Sequence, residues 1–141
     1  AKSMLEQVEE IVDLIEDGFI AYLHRDSGEV YAVRDPNHHQ YASHDPEPEE
    51  EDILDMVEEE PEAFIEIRPL GSAGDKRLML TYAQEETSGK LQERLIEALK
   101  SRHPFRHFRE ILEYSEATDA WLAYRMAYVE LYVEDLLVKA E

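Results

Sequence analysis

Cysteine is absent from this 141-residue chain, which excludes a disulfide scaffold, a thiol nucleophile and thiolate metal sites. Long apolar runs are missing too: none approaches the roughly 18 residues of a membrane-spanning helix, and no signal-peptide pattern opens the chain. A cytoplasmic protein with no membrane partner is the expectation. Basic residues are scarce, 14 against 34 acids, for a formal net charge of −20. Such a body repels polyphosphate and forfeits counterion release, so general nucleic-acid binding is disfavoured. The chain also lacks a P-loop, a G-x-G-x-x-G turn, a G-x-S-x-G elbow and an H-E-x-x-H pair. What remains is ample for a core: 43% of residues are hydrophobic, which argues against wholesale disorder.

Charge is unevenly laid out. From Asp45 to Glu60 there are ten acids and no Lys or Arg, whereas Lys90 to Arg109 holds six basic residues against Glu93 and Glu97, a local +4. The molecule is therefore polar end to end or self-complementary.

Apolar spacing predicts the elements. Leu5, Val8, Ile11, Val12 and Ile15 recur at helical intervals, with Ser3 as N-cap and Glu6 three residues on. Phe19 to Leu23, a turn at Asp26-Ser27-Gly28 and Glu29 to Val33 read as a β-hairpin. Asp35 to Pro48 has loop composition. A short acidic helix through Ile53, Leu54, Met56 and Val57 ends at Pro61, and Ala63 to Ile67 reads as a strand. Gly71-Ser72-Ala73-Gly74 is expected to be a turn before a helix over Lys76 to Gln84. Ser88 caps a helix striped by Leu91, Leu95, Ile96 and Leu99, and Pro104 opens another that turns Phe105, Phe108, Ile111 and Leu112 inward. The last helix, capped by Ser115 or Thr118, carries a heptad-like seam of Leu122, Met126, Val129, Val133 and Leu136. A second stripe of Trp121, Tyr124, Tyr128 and Tyr132 runs beside it. The expected fold is a single α+β domain, 1–141, with a small antiparallel sheet (N-terminal hairpin plus one later strand) packed against a mostly helical C-terminal half.

The hairpin Tyr22-Leu23-His24-Arg25-Asp26-Ser27-Gly28-Glu29-Val30, the strand Glu60-Pro61-Glu62-Ala63-Phe64-Ile65-Glu66-Ile67, the helix start Arg77-Leu78-Met79, and Leu95 to Trp121 with Phe105-Arg106-His107-Phe108-Arg109 form four stretches. Together they resemble the bacterial uncharacterised protein family zero-one-five-eight. The chain departs from the pattern where Ser101, Arg102, His103 and Pro104 replace a Gly-Lys-Gly-Ala turn and His107 replaces an arginine. Leu136-Leu137 stands for the family's C-terminal Trp-Leu, and Tyr124 for a phenylalanine. The resemblance implies an α+β fold and directs attention to Phe105 to Arg109; it supplies no reaction.

Three groups of residues can carry function. Arg102, Arg106 and Arg109 form a basic stripe whose guanidinium forks suit a carboxylate or phosphate, unless they pair with the acidic excess of their own chain or a second subunit. Trp121, Tyr124 and Tyr128 suit a partner interface, or else internal packing. His38, His39, His44 and Asp45 gather metal-ligand types in a Pro-rich loop, and His103 and His107 stand four apart beside repelling arginines. No pair of carboxylates can be singled out for acid–base work among so many. The expected function is a non-enzymatic interaction or regulatory module without a cofactor. It would bind a protein partner, or itself as a homodimer through the C-terminal helix. The alternative is a metal-dependent hydrolase or phosphate-handling enzyme using the histidine and acid cluster. Sequence-specific RNA binding is weaker, because Phe105 and Phe108 should be buried and cannot stack on bases.

Overall fold

The computed structural model describes residues 2–141. Two compact units emerge: Ala1–Gly71 with Val129–Glu141, and Ser72–Tyr128.

In the first unit, helix α1 (Met4–Glu16) begins where Ser3 accepts the Glu6 N–H and buries Val8, Ile11, Val12 and Ile15. Leu5, at the open end of that stripe, stays 64% exposed, against expectation. Gly18, at φ +91°, breaks the helix and feeds β1 (Phe19–His24). Strand β1 pairs antiparallel with β2 (Val30–Arg34) on one side and β3 (Phe64–Ile67) on the other, giving the order β2-β1-β3. Alternation along β1 divides the apolar residues between two faces. Ala21, Leu23 and Ile67 meet α1 and the Val129, Val133 and Leu137 stripe. Ile20, Tyr22, Val33 and Phe64 meet α2 (Pro48–Glu59) through Ile53, Leu54, Met56 and Val57. A 3₁₀ turn, Pro61–Ala63, links α2 to β3.

The second unit is helical: most of α3 (Gly71–Glu86), then α4 (Gly89–Leu99), α5 (Pro104–Tyr114) and the start of α6 (Thr118–Lys139). Leu78 and Tyr82 from α3, Leu95 and Leu99 from α4, Phe108 and Leu112 from α5, and Trp121 from α6 are all buried. Tyr82 and Phe108 each set an edge against Trp121, with ring centroids 5.2 and 5.3 Å away. The α+β class holds, with an N-terminal hairpin and one later strand.

Three further expectations need correction. Gly71 to Gly74 begins α3 rather than forming a separate turn. Gly74 is buried, and Asp75 accepts a 3.0 Å bond from Arg125, so tertiary contacts override the weak helix propensity of Gly and Ser. In α6 the buried positions are Trp121, Val129, Val133 and Leu137, while Leu122 and Met126 are 53% and 46% exposed. The buried stripe advances four residues at a time through Arg125, a charged side chain that hid the phase in the sequence. Finally, Ser115 closes α5 as its C-cap, and α6 starts at Thr118. Among the described residues, no helix is long and apolar enough to cross a membrane.

Candidate functional site

The second face of the sheet does not meet α2 everywhere. Between Ile20, Tyr22 and Val33 below, Leu54 at the side and loop 35–47 above lies a cavity of about 220 Å³. Its polar lining comes from Arg34, Arg68, Tyr41, His44, Asp45 and Glu50.

Arg34 and Glu50 organise this site. Glu50 sits in the first turn of α2, where a carboxylate suits the helix dipole. Its Oε1 accepts from Arg34 Nη2 at 2.6 Å and from the Glu47 N–H at 2.9 Å, while Oε2 accepts the Arg34 backbone N–H at 2.7 Å. Glu50 is buried, yet its pKa falls to about 2, because the Arg34 guanidinium and the two backbone donors outweigh the desolvation of the carboxylate. Arg34 is pushed up by the same partner. Its Nη2 also donates to the Asp45 carbonyl at 3.2 Å, and its guanidinium lies 5.8 Å from the centroid of the Tyr41 ring. Tyr41 in turn donates from its hydroxyl to the Asp17 carbonyl at 3.1 Å and packs on Phe19. At the exposed edge of the site, the buried Tyr22 donates to Glu66 Oε1 at 3.2 Å, and Arg68 donates to the same oxygen at 3.0 Å. Burial and the Glu66 charge hold the Tyr22 phenol above its ordinary pKa.

The histidine loop is split by this geometry. His38 and His39 stack at 4.4 Å beside Glu16 and Asp17, and His38 Nδ1 accepts the Gln40 N–H at 3.2 Å. His44 and Asp45 border the 220 Å³ cavity instead. Among the described residues, no three His, Asp or Glu side chains converge as a metal site would require.

In the second unit, Arg106 Nε lies 3.7 Å from Glu110 Oε1, with both side chains exposed. Arg102, in the turn before α5, and Arg109 are exposed as well. The Ser101 hydroxyl donates to the Ala98 carbonyl at 2.6 Å, so His107 Nδ1, 2.7 Å from that hydroxyl, carries the proton and donates to it. His103 stands at the N-cap of α5 with its ring 6.2 Å from that of His107.

The aromatic stripe divides. Trp121 is interior, Tyr124 is half-buried against Tyr82 with its phenol pKa raised by burial, and Tyr128 is 39% exposed. Sequence reasoning missed Tyr22, Arg34, Tyr41 and Arg68. The one local signal was Glu50, the third residue of an acidic helix that follows a lone arginine.

A model described as Uncharacterised protein family (UPF0158) matches residues 15–140. No curated protein and no solved structure matches the chain.

Proposed function

We propose that this chain, which belongs to the Uncharacterised protein family (UPF0158), is a non-enzymatic cytoplasmic interaction module that binds a basic protein partner through the outer face of α2. The observation that carries this reading is the state of the acidic tract. Of its ten acids only Glu47 and Glu50 pair with a cation, Arg34, so among the described residues eight stand without an ion pair on or beside one anchored helix. Uncompensated charge on a held surface speeds encounter and selects the partner's sign. Arg102, Arg106 and Arg109 offer the opposite charge for a carboxylate or phosphate of a partner.

Pull-down with untagged protein tests the reading. A Glu51→Lys, Asp55→Lys, Glu58→Lys variant should release partners that the folded wild type retains, and raised salt should do the same. Partners held equally by the variant and at high salt would overturn the α2 assignment.

Exposed Leu122, Met126 and Tyr128 favour a second reading, self-association through α6. Sedimentation of wild type against Leu122→Glu, Met126→Glu should then show a dimer reduced to monomer.

A further inference from the structure

Independently of the acidic face, the cavity under loop 35–47 has the lining of a small-molecule site, and its donors and charges narrow the ligand class. We propose that it binds a small uncharged molecule with a one-ring apolar body and a hydrogen-bond acceptor such as a ketone or ester carbonyl.

Size comes first. A volume of about 220 Å³ equals roughly seven waters at about 30 Å³ each, room for one ring and a short substituent. Shape and polarity follow from the walls: Ile20, Val33 and Leu54 supply an apolar floor and side.

The polar balance then selects the functional group. Both Glu50 oxygens are taken by Arg34 and the Glu47 N–H, and Glu66 Oε1 is taken by Tyr22 and Arg68. Arg34 uses Nε, Nη2 and its backbone N–H in these bonds, which leaves Nη1 with no protein acceptor among the described residues. Arg34 Nη1 is therefore a donor at the cavity lining that a ligand can meet by bringing an acceptor.

Charge excludes an anion. Arg34 is neutralised by Glu50, and Arg68 is paired with Glu66 at 3.0 Å. Asp45 adds a further negative charge at the lining of a chain whose net charge is −20. A carboxylate would lose its hydration without meeting an unpaired cation.

Three probes of one shape test this on the full chain by amide chemical-shift titration: acetophenone, benzoate, and ethylbenzene, which lacks the acceptor. Acetophenone is expected to bind saturably, with dissociation constants of about a millimolar, and to shift the amides of Ile20, Val33 and Leu54. Ethylbenzene and benzoate should each bind about tenfold more weakly, for want of the acceptor and because of the charge respectively. Leu54→Trp, checked for native circular dichroism, should fill the space and abolish acetophenone binding. The proposal fails if acetophenone does not saturate, or if its shifts centre elsewhere. It fails equally if benzoate binds as well as or better than acetophenone, if ethylbenzene matches it, or if folded Leu54→Trp still binds it. Because these readouts involve no protein partner, failure of the α2 interaction reading leaves them unaffected.

Discussion

Glu50→Gln isolates the energetics of the Arg34 anchor. The glutamine keeps the shape and one acceptor but removes the charge that Arg34 faces at 2.6 Å. The carboxyl moves from an ordinary 4.5 to about 2 in the folded chain, and at about 1.4 kcal/mol per tenfold change this corresponds to about 3 kcal/mol of stability. The side chain is only 11% exposed, so solvent screening removes little of this. Glu47, 3.8 Å from Arg34, partly compensates the cation once Glu50 is neutral, which brings the expected loss to about 2–3 kcal/mol near neutral pH. The sign follows from the depressed folded pKa. The contribution is complete above about pH 4.5 and is lost as pH falls toward 2. At about pH 3 roughly 1.5 kcal/mol remains, because the unfolded carboxyl is by then protonated while the folded one still is not. Urea unfolding of both proteins at about pH 7 and about pH 3 reads the two gaps directly. A gap of the same size at both pH values would refute the charge-based account and leave only a packing effect.

Two further substitutions probe separate features. Gly18→Ala places a Cβ 2.8 Å from His38 Cγ at φ +91°, so a loss of about 1–3 kcal/mol is expected by thermal unfolding, and adding His38→Ala should relieve the clash but not the backbone strain. Phe108→Ala empties a fully buried site 5.3 Å from Trp121; a loss of about 3–5 kcal/mol and a changed near-ultraviolet signal from the tryptophan are expected in denaturant unfolding and circular dichroism.

The parts of the fold that were legible in the sequence are those whose signal is local. Ser3 and the Val8 to Ile15 spacing, Gly28 in the hairpin, Pro61 after α2 and Pro104 before α5 each act within a few residues of themselves. The start of α3 was not legible because Asp75 finds its partner fifty positions away. The phase of α6 was hidden for a related reason: Leu122 and Met126 look like core by hydropathy, while Arg125 completes the inward stripe by pairing with Asp75. The cavity was illegible altogether. Ile20, Arg34, Leu54 and Arg68 carry no common pattern, and only the pairing of β1 with both neighbours and the placement of α2 bring them together.

The distribution of buried charge connects these observations. Among the described residues, only Asp35 and Glu50 are buried polar or charged side chains, at 7% and 8% exposure, although the chain carries 34 acids. Glu50 lies in the first turn of the helix that follows loop 35–47, and Asp35 opens that loop. Asp35 closes its first turn by accepting the Asn37 N–H at 2.9 Å, and Glu50 ties the start of α2 back to Arg34, whose Nη2 also holds the Asp45 carbonyl. A merely solvated connection needs no buried carboxylate at either end, since each must offset a desolvation cost that water would otherwise remove. Tyr41 adds a third tether in the middle, to Asp17 and over Arg34. The acids that could have repelled the loop from the sheet are thus turned into its fastenings, and the remaining acids of α2 face outward from the same anchored base.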